Sequence, residues 1–206
     1  MAKKLGMVID LKRCTGCTTC ANACKMQNNV PMGMLWNRVL TEGGEEYDTS
    51  AGVYPNLQKS FLPIACQHCE NAACVKVCPV GATYKDELGR VVINYDRCIG
   101  CRFCMAACPY NARVFNWEEP VRDPGFNYGD KDVPIRKVGV MEKCSMCKER
   151  TDTGSEPMCV KCCPTKARKF GDLNDPESEV SRLIRERNGQ QLLSEKGTKP
   201  QVYYLG

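Results

Sequence analysis

The sequence predicts a loop-rich α+β fold made of two related lobes, and three observations predict it. Seventeen of the 206 residues are cysteine, and all but one fall into four groups of four. The chain repeats itself, with Cys98 lying 84 positions beyond Cys14 in matching sequence. Gly (17) and Pro (12) are frequent while aromatic residues make up only 7%. Turns are therefore many and the apolar core is thin, so cysteine chemistry must carry much of the architecture.

The groups are Cys14, Cys17, Cys20, Cys24; Cys66, Cys69, Cys74, Cys78; Cys98, Cys101, Cys104, Cys108; and Cys144, Cys147, Cys159, Cys163. Groups one and three have the spacing Cys-x2-Cys-x2-Cys-x3-Cys. Group two widens the second gap to four residues and group four to eleven. Disulfides fit poorly, because the count is odd and the Cys-x2-Cys steps are tight. Structural zinc pairs knuckles from separate turns, and four thiolates crowded on one short segment do not suit a single tetrahedral ion. An iron–sulfur cubane fits. Three closely spaced thiolates wrap three of its corners, and the fourth cysteine of the run reaches the other cluster of a two-cluster unit. Pro79, Pro109 and Pro164 follow Cys78, Cys108 and Cys163, matching the Cys-Pro ending of the bacterial ferredoxin run. Group one departs from it with Cys24-Lys25. The same proline selects Cys163 over Cys162 as a ligand, and Cys162 aligns with Val77 and Ala107, so it is expected as a buried small apolar residue.

The repeat orders the elements. Val8–Cys17 matches Val92–Cys101, and Cys74–Pro79 matches Cys159–Pro164. Each unit reads as a short strand leading into a cluster loop that contains Gly16 or Gly100, where a backbone N–H can approach sulfur closely. Thr83-Tyr84-Lys85, the turn at Asp86–Gly89 and Arg90–Ile93 read as a hairpin. Residues 66–115 then form one ferredoxin-like lobe, and residues 1–24 with 144–171 form the other, enclosing the first in sequence. Cross-ligation pairs Cys66, Cys69 and Cys74 with Cys108, and Cys98, Cys101 and Cys104 with Cys78. In the enclosing lobe Cys14, Cys17 and Cys20 pair with Cys163, and Cys144, Cys147 and Cys159 with Cys24. That makes four 4Fe-4S clusters.

The inserts, 25–65 and 116–143, show no clear periodicity. Met32, Met34, Trp36, Gly43-Gly44, Tyr47, Tyr54, Phe61 and Trp117 read as loop cover over the clusters, with a subunit interface as the other reading. Residues 172–206 read as a helix and tail. Asp175-Pro176-Glu177 has the pattern of a helix start, Val180, Leu183 and Ile184 form an apolar face, and Gly189 ends it. Val202, Tyr203 and Tyr204 belong to an extended segment lying on another surface.

The formal charge of +5 does not indicate a nucleic-acid binder. Four oxidised clusters bring about −8, leaving the loaded chain near −3, and no aromatic-plus-basic stripe is present. Arg13, Lys25, Lys76, Arg97, Arg102 and Lys161, beside ligands, are expected to offset cluster charge. His68 is expected as a surface or cluster-flanking residue, not a ligand. No apolar run is long enough to span a bilayer. Neither a secretory signal nor a twin-arginine pair precedes Cys14. The expected location is cytoplasmic or membrane-peripheral, with export possible alongside a partner that bears a twin-arginine signal. No nucleophile–base pair or phosphate-cradling loop is evident, so no catalytic residue is expected.

All sixteen grouped cysteines, Cys66-Gln67-His68-Cys69-Glu70-Asn71, Cys98–Cys104 with Cys108-Pro109-Tyr110, and the ending Gly197–Pro200 with Tyr203-Tyr204 carry a family resemblance. The chain resembles the four-cluster ferredoxin-type subunit of molybdopterin oxidoreductases of the dimethyl sulfoxide, polysulfide and thiosulfate reductase type. The resemblance implies electron relay without catalysis, between a molybdenum or tungsten molybdopterin subunit and a quinone-reactive membrane anchor or other redox partner. A ferredoxin-like subunit of a hydrogenase or formate dehydrogenase, and a structural zinc protein, remain the alternatives.

Overall fold

The computed structural model describes residues 3–43, 46–121 and 128–206; Met1, Ala2 and Gly44 lie outside them. Its elements in chain order are β1 (Leu5–Asp10), α1 (Thr19–Gln27), β2 (Asn37–Glu42), β3 (Ala51–Val53), β4 (Asn56–Gln58), β5 (Ser60–Ala65), α2 (Ala73–Lys76), β6 (Thr83–Lys85) and β7 (Val91–Ile93). They continue with α3 (Phe103–Ala106), β8 (Val114–Phe115), β9 (Met141–Glu142), α4 (Lys148–Asp152), α5 (Met158–Lys161), β10 (Arg168–Asp172), α6 (Glu179–Glu186) and β11 (Val202–Leu205).

One pairing rule organises the ladders. A strand that leads into a cysteine group pairs antiparallel with a strand that leaves another group. β1, leading to Cys14, pairs with β10, which leaves Cys163, from Leu5↔Asp172 to Ile9↔Arg168. β7, leading to Cys98, pairs with β6, which leaves Cys78; this is the expected 83–93 hairpin, its turn held where the Asp86 carboxylate accepts the Leu88 and Arg90 N–H groups. The other two ladders each close the stretch between two consecutive groups. β5, leading to Cys66, pairs with β2, which follows Cys24, and β9, leading to Cys144, pairs with β8, which follows Cys108.

The insert 25–65 is therefore not loop cover alone. It carries the β2–β5 ladder, with the short β3–β4 hairpin at its far end. Pro63 within β5 and the short apolar alternation hid it from sequence reading. Trp36, 3% exposed, is neither cover nor interface. It packs with Cys24 and Val30, and the Arg136 guanidinium lies 4.7 Å from its ring centre. Tyr47 and Phe61 do cover a cluster loop, the hydroxyl of Tyr47 donating to the Gly16 carbonyl. Met32, Tyr54 and Trp117 are exposed.

β1 is buried along its whole length because both its faces are used. Met7 and Ile9 point to one cluster with Val160, Val202 and Tyr204, while Val8 packs with Val180 and Leu205, the alternation a strand imposes. The apolar face expected of α6, formed by Val180, Leu183 and Ile184, packs against β1 and β11. The helix begins later than the Asp175-Pro176 pattern indicated: Ser178 is its cap, its hydroxyl accepting the Ser181 N–H. Asp175 instead closes the preceding turn, accepting the Glu177 N–H. At the other end the Gly189 N–H bonds to Ile184 O, and Asn188 takes the left-handed position.

The tail is extended, and the surface it lies on is the chain's own first strand. β11 runs parallel to β1, from Met7↔Val202 to Asp10↔Leu205. On its way it binds the segment around group two: Glu70 N–H to Lys199 O, Asn71 N–H to Thr198 O and Gln201 N–H to Gln67 O. The Tyr204 hydroxyl donates to Pro63 O at 2.9 Å.

Candidate metal centres

Four cavities collect the grouped cysteines. The first is lined by Cys14, Cys17, Cys20 and Cys163. The second is lined by Cys24, Cys144, Cys147 and Cys159, and Cys66 reaches it as well. The third is lined by Cys66, Cys69, Cys74 and Cys108, and the fourth by Cys78, Cys98, Cys101 and Cys104. In each, three cysteines come from one group and the fourth from another. Cys162 lines none of these. It is half-buried rather than buried, and its thiol points to Thr19 O at 3.8 Å, so it packs against α1.

Local backbone explains how so many thiols converge. Gly16 and Gly100 have φ of +70° and +68°, and a Cβ on either would strike a neighbour, the Phe61 ring or the Gly139 carbonyl. Glycine is thus demanded by the left-handed turn and by the cover above it. The repeat extends to other left-handed positions: Thr18 and Arg102 precede α1 and α3, while His68 and Met146 sit at matching places in groups two and four. Helices α2, α3 and α5 are single turns that present a cysteine and end before the next.

Amide donors face several sulfurs. Thr83 N–H approaches Cys78 Sγ at 3.5 Å, Met146 N–H approaches Cys144 Sγ at 3.3 Å, and the Asn28 side-chain amide approaches Cys24 Sγ at 3.6 Å. Such bonds favour a thiolate over a thiol. Burial works the other way. It pushes Cys144 up to about 12 and Cys69 up to about 11, and it raises Cys24 and Cys159, with neighbouring cysteines adding repulsion. Cys66 goes the other way, as Cys17, Cys78 and Cys163 do more mildly: burial pushes it up, but Lys143 and His68 outweigh this and hold it well below the usual thiol value. Thiols that repel one another this way become joint ligands only with a cation among them, which a metal core supplies by deprotonating each thiol it binds. Among the described residues no group of three His, Cys, Asp or Glu side chains could hold a single metal ion. Cavities lined by four thiols fit a multinuclear core instead.

Buried donors without partners point the same way. His68, 1% exposed, is not a surface residue. Its Nδ1 accepts the Val91 N–H at 3.1 Å, so Nε2 carries the proton. That atom has no partner and the ring lines the second cavity. Burial lowers the pKa of its imidazole. Arg113 Nη2 is likewise buried without a partner, at the third cavity.

The basic residues adjacent to ligands are not the ones that meet the sulfurs. Arg13, Lys76, Arg97, Arg102 and Lys161 are exposed and Lys25 half-buried, because a side chain next to an inward-pointing cysteine points outward. Sequence reading passed over Arg113, Lys143 and Arg168, each at most 3% exposed. A signal existed for two of them: Cys108-Pro-Tyr-Asn-Ala-Arg113 and Cys163-Pro-Thr-Lys-Ala-Arg168 share one pattern. Burial disfavours charge on both guanidiniums, but Cys74, Cys104 and Cys66 around Arg113, and Cys159 and Cys20 around Arg168, hold them protonated.

Two models described as a 4Fe-4S dicluster domain match this chain, one over residues 57–123 and 132–173, the other over 6–79. The chain is 56% identical to a putative dimethyl sulfoxide reductase iron–sulfur subunit of Halobacterium salinarum, over 97% of this chain and 78% of that protein. It is 44% identical to a selenate reductase subunit of Mesobacillus selenatarsenatis (97% and 70%). It is 39% identical to the arsenate respiratory reductase iron–sulfur subunit of Shewanella sp. (98% and 96%). The chain belongs to the 4Fe-4S ferredoxin-type iron–sulfur subunits of these respiratory molybdoenzymes. As an iron–sulfur subunit with two dicluster domains it carries four 4Fe-4S clusters, and its part in an oxidoreductase complex is electron transfer. No helix among the described residues of this iron–sulfur subunit is long and apolar enough to cross a membrane.

Proposed function

We propose that this subunit relays electrons between a molybdopterin catalytic subunit and a quinone-reactive membrane anchor or another redox partner. The sixteen cysteines of the four cavities are the ligands, and Cys162 is not. The observation that carries the reading is that the lining of each cavity includes four thiols in the cross-group combination a two-cluster ferredoxin uses, with Cys66 reaching the second as a fifth. Residues 66–115 act as one lobe, and residues 1–24 with 144–171 as the other. The second and third cavities share Cys66 and Gln67 as lining, and the first and second share Ile9 and Arg168. Arg113, which lines the third, donates to Cys104 of the fourth, so the four sites string into a row with the Cys14 set at one end and the Cys78 set at the other.

A 4Fe-4S cluster, when bound, takes up and releases one electron. The protein's own residues keep the sites fixed and dry. β1, with Met7 and Ile9, walls the second cavity, and Tyr204 closes it from the tail. At the ends of the row Cys17 and Cys101 are exposed, as sites that exchange electrons with partners require.

Iron and acid-labile sulfide analysis of anaerobically isolated protein tests the reading. Four ligands per cubane give about sixteen of each per chain. A value near eight in fully loaded protein refutes the ligand sets. Copurification with a large subunit that lacks molybdopterin refutes the assigned partner.

A further inference from the structure

Five Lys or Arg side chains are buried among the described residues: Arg90, Arg113, Arg136, Lys143 and Arg168. Two of them have carboxylates. Arg90 pairs with Asp86 and Asp152, and Arg136 with Glu142. The other three form no ion pair with a carboxylate among the described residues. A buried charge without a counter-charge is costly, so the position of these three needs an explanation.

Each occupies a different joint of the row. Arg168 lines both the first and second cavities. It approaches Cys159 Sγ at 4.0 Å and Met7 Sδ at 3.5 Å, and donates to Asn37 Oδ1 at 3.0 Å. Lys143 lies between the second and third: its Nζ donates to Cys144 O at 2.8 Å and to Val91 O, and those residues line the second and third cavities respectively. Arg113 lines the third cavity and reaches the fourth, donating to Cys104 Sγ at 3.2 Å and Thr83 Oγ1 at 3.3 Å. Three joints, three uncompensated cations, one at each.

We propose that Arg168, Lys143 and Arg113 are tuning residues, each placing one fixed positive charge between two neighbouring clusters and raising the reduction potential of both. The inference rests on the ligand sets above. The sign follows from Coulomb's law in a low-dielectric interior. An added electron on either side of a joint is stabilised by the cation, and the cation screens that electron from the cluster across the joint. The thiolate-rich surroundings in turn are the counter-charge that lets these side chains stay buried. Arg90 and Arg136, satisfied by carboxylates, have no such role.

The test is an anaerobic redox titration of the intact complex followed by paramagnetic resonance, with iron counted in every sample. Arg113→Gln should lower the potentials of the clusters at the Cys66 and Cys78 sets, Arg168→Gln those at the Cys14 and Cys24 sets, and Lys143→Gln those at the Cys24 and Cys66 sets. The expected effect is at least a tenfold fall in the reduced-to-oxidised ratio at fixed potential, about 59 mV for one electron. The two clusters away from the altered joint should not move. Arg113→Lys and Arg168→Lys should restore most of the shift. A glutamine variant that loses iron while its lysine counterpart keeps a full complement also supports the role of charge. Loss from both, unchanged potentials at full iron content, or equal shifts in all four clusters overturn the proposal. Wild-type protein with other than sixteen iron fails the ligand reading instead, before any variant is made.

Discussion

Gly16 and Gly100 stand at matching positions of the repeat, and replacing each by alanine separates two costs that usually arrive together. Their φ angles are nearly the same, +70° and +68°, so the left-handed conformation penalises both by about 1–2 kcal/mol. Their surroundings differ. A Cβ on Gly16 would come within 3.0 Å of the Phe61 ring, the far end of a half-buried side chain, which can give way by rotating where a backbone atom cannot. A Cβ on Gly100 would come within 3.0 Å of the Gly139 carbonyl oxygen and 3.2 Å from the Phe115 ring. Gly139 is tied down by its N–H bond to Asn116 O at 2.8 Å, so the backbone cannot withdraw without losing that bond. Overpacking against a fixed neighbour costs about 1–3 kcal/mol, which puts Gly100→Ala at about 2–5 kcal/mol in total. Gly16→Ala should stay near the conformational part alone. The assay is loss of visible cluster absorbance in anaerobic urea titrations. With a slope of about 3 kcal/mol/M, the midpoint should fall by about 1 M for Gly100→Ala and by about half as much for Gly16→Ala. Phe61→Leu in the Gly16→Ala background should recover any remaining steric part. Equal shifts at the two glycines, or a larger one at Gly16, would refute the reasoning.

Cys162→Ala should leave iron content unchanged, whereas Cys163→Ser should remove iron and disturb the paramagnetic signal of one cluster; the reverse result would reassign the ligand. Ser178→Ala should destabilise α6 by about 0.5–2 kcal/mol, measured by denaturant titration. Asp175→Ala should cost less, because Asp175 holds only the turn before the helix; a larger loss there would restore it as the cap. Stripping iron with an anaerobic chelator should abolish cooperative unfolding monitored by circular dichroism, since Arg113, Lys143 and Arg168 would be left without counter-charge; a sharp transition in iron-free protein would contradict this.

The metal chemistry was legible in the sequence because its ligands are local. Three of the thiols lining each cavity come from one group, and spacing within a group is a one-dimensional fact. The proline after Cys78, Cys108 and Cys163 and the repeat were enough to propose the fourth partner, and each proposed set of four lines one cavity. The hairpin of β6 and β7 was legible for the same reason, its turn and both strands lying within a few residues. What only the tertiary structure decided depends on long-range pairing. β2–β5 and β8–β9 each close the stretch between two consecutive cysteine groups through strands of two to six residues, too short to show a period. β11 finds β1 across nearly the whole chain, and nothing in its own residues names that partner. Burial was decided the same way. Trp36 read as cover and His68 as a surface or cluster-flanking residue; the fold buries both, and His68 does flank the second cavity. Arg113, Lys143 and Arg168 are ordinary surface residue types that the fold encloses, without a carboxylate partner among the described residues, beside cysteines brought together from distant groups.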